Sequence, residues 1–286
     1  AAADGRVHYE DAGSMLLAET PEEAAELELA ARAMDAEGLP ICYHARDPLR
    51  RGYYAAIEQP GDAAVHPVEL AQAVFRASGA ELVANNEAYK LEPIADRVAV
   101  HTRRFIFHAR HVMICTNAYS CALHPYFIDK IIPTRGQCLV TAPIPDHDPL
   151  PINTCGYSDY GYLYYRMTFD RRLLIGGGRN RHFALEHDTF DDRATAPVQG
   201  TLDAYLRMRF PDVTAPVDRR WAGIMGFSAG RCCRLAGRLP GMPNVGFAVG
   251  FTGHGLSMGA STAERAVEHL LTGAPLGVLD AARLEA

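Results

Sequence analysis

The run Asn244-Val245-Gly246-Phe247-Ala248-Val249-Gly250-Phe251-Thr252-Gly253-His254-Gly255 constrains this chain more than any other stretch. A short apolar strand ends in a glycine-rich turn, and the turn opens into a helix predicted from about Leu256 to Leu271. Strand, glycine turn and helix in that order present bare backbone N–H groups to an anionic or electron-rich ligand. A Cβ at Gly253 or Gly255 is expected to push the turn away from such a ligand. The small residues Gly259, Ala260 and Ser261 are expected to seat the helix tightly on what lies beneath it. By itself Gly253-x-Gly255-x-x-x-Gly259 is a loose dinucleotide fingerprint, and a purely structural turn is the alternative reading. A full fingerprint needs a second strand with an acidic end about 20 residues on. Asp280 sits at that distance, but only residues 281–286 follow it, so no complete mononucleotide fold is expected to start here.

The 286 residues are 48% hydrophobic and 22% charged, which suits one or two globular domains with a sizeable core. The formal net charge is −6 and no basic stripe interleaves with aromatics, so nucleic acid is not expected as a partner. No apolar run approaches the roughly 18 residues of a membrane span, so no membrane partner is expected. The first residues lack the apolar centre of a signal peptide and lack a starting Met, which reads as a fragment. The seven cysteines are odd in number and show no C-x-x-C spacing. Reduced thiols in a cytoplasmic enzyme are the expectation, with a redox-active Cys232-Cys233 pair as the alternative. The twelve histidines are scattered without metal-binding spacing, so no metal site is expected. Ser228, Ser257 and Ser261 lack the context of a nucleophile elbow.

Along the chain, Met15–Ala18 reads as a strand and Thr20-Pro21-Glu22-Glu23 as a capped helix start. Ala24, Leu27, Ala31 and Met34 form that helix's apolar stripe. A second helix over Pro67–Gly79 is expected to bury Leu70, Val74 and Phe75. Short β segments are predicted at Glu81–Ala84, Ala88–Leu91, Val98–Thr102 and Phe105–Ala109. The continuous apolar run His111–Thr116 reads as a strand buried on both faces, as in a parallel sheet. It breaks at Asn117-Ala118-Tyr119-Ser120, at a carboxyl end where open α/β sheets bind ligands. Tyr160–Thr168 and Arg172–Gly177 read as a hairpin turning at Asp170, and a helix is predicted over about Val198–Phe210. Alternation of α/β-like and antiparallel stretches suggests two interleaved domains.

The ordered set of short stretches resembles the FAD-dependent glycine/D-amino-acid oxidase family, and within it the gamma-glutamylputrescine oxidase branch. The carrying residues are Ala12-Gly13-Ser14-Met15-Leu16-Leu17-Ala18, Cys115-Thr116-Asn117-Ala118-Tyr119-Ser120, Pro133-Thr134-Arg135-Gly136-Gln137, Tyr164-Tyr165-Arg166-Met167-Thr168, Arg172–Gly178, Trp221-Ala222-Gly223, Arg238-Leu239-Pro240 and Gly250–Gly255. The family's opening strand and G-x-G-x-x-G turn are not among these residues. The resemblance implies an α/β fold: a discontinuous Rossmann-like FAD-binding domain, truncated at its N-terminus, interleaved with a mostly antiparallel β substrate domain. The expected boundaries are 1–58 and 124–232 for the substrate domain, and 59–123 and 233–286 for the FAD-binding domain.

The same resemblance implies FAD as cofactor, with Ala88 near the adenine, Thr116 and Asn117 along the crevice, and Gly253, His254, Gly255 and Leu256 at the pyrimidine edge of the isoalloxazine. Tyr165, Arg166 and Trp221 are candidates for the substrate pocket, and Arg135 either faces the flavin or anchors a turn. Amino-acid oxidases of the family often carry an arginine shortly after W-x-G, where this chain has Met225. That favours a small-molecule amine over a free α-amino acid, with oxygen as electron acceptor and no side-chain base demanded. The alternatives are an amino-acid oxidase or dehydrogenase using Arg166 or Arg231 for the carboxylate, and a non-catalytic remnant that binds no FAD.

Overall fold

Thr20 begins the first helix as the sequence dictates. Its side chain accepts from Glu23 N–H, Pro21 occupies the first turn, and the helix runs Pro21–Ala36. The Glu23 carboxylate reaches past the cap to accept from Glu19 N–H at 2.7 Å and, with its other oxygen, from Tyr160 N–H at 2.7 Å. The capping box therefore also ties the helix to the loop after Ser158. These relations come from a computed structural model, which describes residues 7–230 and 234–284. The pair Cys232-Cys233 and Arg231 lie outside the described residues.

Two compact units divide the chain. The first comprises Ala1–Ala80, Gly136–Phe183 and Asp192–Gly223; the second comprises Glu81–Arg135, Ala184–Asp191 and Ile224–Ala286. The first unit is built on an eight-stranded sheet in the order Val217–Ser228, Ile131–Thr141, Leu173–Gly177, Leu163–Met167, Cys155–Ser158, Ser14–Leu17, Ala56–Gln59, Cys42–His44. Cys155–Ser158 runs parallel to Ser14–Leu17, while the other pairings with a described register are antiparallel. Alternation along these strands sends Met15, Leu17, Leu139, Leu163, Tyr165, Leu173 and Ile175 into one core with Leu202, Tyr205 and Phe210. The last three come from, or directly follow, the helix Ala196–Arg209. The hairpin Leu163–Met167/Leu173–Gly177 forms where the sequence places it.

The second unit carries a three-stranded sheet in the order Leu235–Leu239, Met242–Val249, Val112–Ile114. Met242–Val249 and Val112–Ile114 are parallel, with Val245 beside Val112 and Phe247 beside Ile114. Their carboxyl ends therefore open on the same edge. The helix Gly255–Thr272 packs back on this sheet through Thr262, Ala266 and Leu270. A separate antiparallel sheet, Ala88–Ile94, Arg97–Thr102 and Ile106–Ala109, belongs to the same unit.

Four expectations need correction. Glu81–Ala84 forms no strand, and Leu82 and Val83 are exposed. In the helix Pro67–Ser78 only Ala73 is buried, whereas Val74 and Phe75 face solvent and Leu70 is half-buried. Periodicity identifies an apolar face but not what covers it. Val112 and Met113 are half-buried and only Ile114 is buried, so burial on both faces is incomplete. In the helix Gly255–Thr272, Ala260 and Ser261 are exposed, and a Cβ on Gly259 would meet nothing within 4 Å among the described residues outside the helix's own backbone. The seat of that helix lies on the face of Thr262 instead, one step around the 3.6-residue turn.

Candidate functional site

Parallel strands end together, and the loops that leave them meet. The loop after Ile114 carries Thr116 and Asn117; the loop after Val249 carries Gly250–His254. Asn117 joins the two, because its Oδ1 accepts from Gly250 N–H at 2.9 Å. Asn117 is left-handed (φ 45°), a conformation asparagine tolerates better than most residues. A Cβ on Gly226 would lie 2.5 Å from Asn117 Oδ1, so this glycine makes room for the junction. Thr116 Oγ1 and Ser120 Oγ are hydrogen-bonded at 2.9 Å. Thr252 N–H donates to Gly226 O at 2.9 Å, which locks the turn from its other side.

The turn then opens. Gly253 has φ +84°, and its nearest neighbour for an added Cβ is Phe227 Cζ at 3.9 Å. His254 precedes the helix without a side-chain cap; its Nδ1–H donates to Thr252 O at 2.9 Å. Among the described residues, the N-cap His254 gives no side-chain hydrogen bond to the first-turn N–H groups of this 18-residue helix. They carry the positive end of the helix dipole. Leu256 is exposed beside them. The structure therefore gathers Thr116, Asn117, Gly253, His254, Gly255 and Leu256 along one edge. Ala88 starts the strand Ala88–Ile94, opposite Thr102, and the short helix Ser120–Leu123 that follows Asn117 packs on that strand. An open glycine turn leading to the N-terminal amides of a helix suits the electron-rich edge of a ligand.

In the first unit, strand alternation separates the substrate candidates. Tyr165 is 2% exposed and packs edge-on against Phe210 in the core. It cannot wall an open pocket, because its ring lies on the core face, in the space left by Gly156. The opposite face carries Tyr164, Arg166, Leu174, Gly176, Cys138 and Val140, as their cross-strand pairings require. The Tyr164 ring lies across Gly176, where a Cβ would come within 2.4 Å of it, and its hydroxyl is 3.5 Å from Cys138 Sγ. Burial pushes the Tyr164 phenol well above the usual tyrosine range, so it stays protonated. Tyr157, whose ring centroid lies 6.5 Å from that of Tyr164, is exposed on this side.

Arg166 donates to Val65 O at 3.0 Å and stacks over Phe169. Trp221 lines an open cleft of about 720 Å³ with Val140, Leu174, Arg172, Asp218 and Arg220. The sequence alone does not single out Tyr157 and Tyr164 as residues of this face. The pairing of Tyr164 with Gly176 was the available signal, since a glycine opposite a tyrosine leaves room for the ring. Arg135 anchors its surroundings: it is 2% exposed and donates from Nε to Glu186 Oε1 at 3.0 Å, from one terminal nitrogen to Leu185 O and from the other to Asp191 O, each at 2.9 Å.

The sequence profile of the DAO family, described as FAD dependent oxidoreductase, matches residues 1–269. Gamma-glutamylputrescine oxidoreductase of Escherichia coli (strain K12) is 26% identical over 231 residues, covering 77% of this chain and 51% of that protein. The chain thus spans about half the length of that relative. Among solved structures, glycine oxidase from Geobacillus kaustophilus superposes with a TM-score of 0.81 at 21% identity, over 97% of this chain and 75% of the other. L-proline dehydrogenase from P. horikoshii gives a TM-score of 0.82 at 22% identity, over 97% and 78%. Both support the mixed α/β fold. Among the described residues, no helix is long and apolar enough to cross a membrane. Nor does any group of three or more His, Cys, Asp or Glu among them stand ready to hold a metal ion.

Proposed function

The chain belongs to the FAD dependent oxidoreductase family, and from that premise we propose that it oxidises the C–N bond of a small-molecule amine, with oxygen as electron acceptor. The second unit is the FAD-binding part and the first the substrate part. When bound, FAD would supply the acceptor for a hydride from the amine's α-carbon. This chain's residues hold and tune it. The open turn at Gly253 would admit the ring edge, the amides from Gly255 to Ser257 would stabilise negative charge there, and Thr116 and Asn117 would line the crevice. Tyr164 and Tyr157, with Arg166 and Trp221 on the same sheet, form the open face offered to substrate. Tyr164 serves as a neutral hydrogen-bond donor. The reacting amine is neutral, so no side-chain base is required of these residues.

The observation that carries this reading is the Asn117–Gly250 junction, which fixes two strand-end loops beside the N-terminal amides of the helix Gly255–Thr272. Asn117→Leu leaves the Gly250 N–H without its acceptor and puts a branched apolar residue into a left-handed conformation. Each effect costs about 1–3 kcal/mol. FAD retention, followed by equilibrium dialysis of the FAD-loaded protein, is expected to weaken about tenfold or more. Unchanged retention in this variant would contradict the assignment of the crevice. A free α-amino acid as substrate is the second reading. It is supported by Arg166, an arginine on the open sheet face, and substrate preference distinguishes the two.

A further inference from the structure

Three residues lie in a row straight across the sheet of the first unit. Tyr164 pairs with Gly176, and Gly176 pairs with Cys138. Neighbouring strands are about 4.8 Å apart, so the Tyr164 side chain reaches Cys138 only by lying flat over the strand between them. A Cβ on Gly176 would stand 2.5 Å from Tyr164 Cζ and 2.6 Å from its hydroxyl oxygen. The far end of the ring therefore rests on the glycine backbone, and the hydroxyl ends 3.5 Å from Cys138 Sγ. Tyr157, the partner of Tyr164 on the next strand, flanks the ring at 6.5 Å between centroids.

Glycine inside a strand weakens it, so its presence needs a reason. Backbone conformation is the reason at Gly177 and Gly178, with φ 112° and 76°, but Gly176 is not left-handed. The three atoms nearest its missing Cβ all belong to Tyr164. On the core side the same device serves packing: Tyr165 lies in the space left by Gly156 and meets Phe210. Tyr164 is on the opposite, open face, where no core has to be filled. With backbone beneath it and Tyr157 beside it, a ring pushed off Gly176 moves outward, into the space above the sheet.

We propose that Gly176 is a specificity-determining residue of this open face. By letting Tyr164 lie flat it keeps the space above the sheet free for a bulky group on the substrate. Cys138 is the positioning residue that catches the hydroxyl and holds the ring down. The proposal rests on the reading that this face receives an amine substrate. A side chain at position 176 keeps the tyrosine but lifts its ring, and the face then takes only smaller molecules.

Cys138 itself reports the position of the ring, because the flat ring lies against its thiol. Its alkylation by iodoacetamide, followed on the isolated peptide by mass spectrometry without FAD or substrate, is expected to quicken about tenfold in Gly176→Ala and in Tyr164→Ala. Calorimetric titration of the FAD-loaded protein with benzylamine and with ethylamine, under anaerobic conditions, reads the selectivity. The ratio of benzylamine to ethylamine affinity is expected to fall about tenfold in Gly176→Ala. It is expected to return to the wild-type value in Gly176→Ala/Tyr164→Ala, which has no ring to lift. Cys138→Ser, which keeps a hydrogen-bonding group, is expected to hold the ratio, and Cys138→Ala to lower it about threefold. The cysteine variants leave Gly176 intact and carry the test should alanine at 176 prevent folding. Unchanged alkylation in Gly176→Ala means that the ring stays down; an unchanged ratio in that variant or in Cys138→Ala means that the ring does not border the bound amine. Either overturns the proposal. Flavin bleaching is read in the same samples. A ratio that follows residue 176 without bleaching by either amine refutes the oxidation reading and supports the size rule of this face.

Discussion

Arg135→Met is expected to lower the midpoint of the urea transition of this protein by about 1–3 M, corresponding to a loss of about 3–5 kcal/mol. Arg135 is among the largest side chains buried in the molecule. Methionine fills much of its volume but leaves Glu186 as a carboxylate 1% exposed, with its guanidinium partner gone. Two carbonyls, of Leu185 and Asp191, lose the same donor. Breaking one side of a buried pair costs far more than removing both. The double variant Arg135→Met/Glu186→Met is therefore expected to recover much of the lost stability. A loss below about 1 kcal/mol in the single variant would mean that the clamp is not a stabilising element. Far-ultraviolet circular dichroism across a urea series measures both.

Gly253→Val is expected to reduce FAD retention by tenfold or more while leaving the folded circular-dichroism spectrum largely unchanged. Gly253 sits at φ +84°, where a β-branched residue is strained by about 1–3 kcal/mol. Among the described residues, chain neighbours aside, the atom nearest the added Cβ is Phe227 Cζ at 3.9 Å, so the strain comes from the backbone and not from a clash. The turn relieves it by changing shape, and the change falls where the ring edge of the flavin is proposed to lie. Gly255→Ala is the contrast. Gly255 has no left-handed conformation, and its added Cβ would meet Phe251 at an ordinary 3.5 Å. The alanine variant is expected to keep its FAD. The sequence treats the two glycines alike; the structure assigns the strained conformation to Gly253 alone. Normal FAD retention in Gly253→Val would reduce the motif to a structural turn.

The elements at chain-local signals were legible. Thr20 with Pro21 marks a helix start, and the run from Val245 to Gly255 marks strand, turn and helix, because caps and left-handed glycines act over a few residues. What was not legible depended on partners distant in sequence. Tyr164 and Tyr165 are adjacent, and alternation says only that they face opposite ways. Which face is the core is decided by the helix Ala196–Arg209, more than thirty residues on, so the sequence alone does not show that Tyr165 is the one turned into the core. Similarly, Arg135 reads as either a ligand contact or an anchor until the segment holding Glu186 is seen to return to it. The apolar periodicity of Pro67–Ser78 was read correctly as a helix, yet its burial was not, because amphipathicity carries no information about the covering surface.

The central claim is that the edge formed by Asn117 and Gly250–Leu256 holds a flavin that an amine reduces. Anaerobic spectrophotometry of the FAD-loaded protein tests it most directly, with primary and secondary amines, glycine and D-alanine offered in turn. The visible flavin band is expected to bleach fastest with an amine, and Gly253→Val and Asn117→Leu are expected to slow or abolish the bleaching. Fastest bleaching by glycine or D-alanine, or a flavin that no amine reduces, would contradict it.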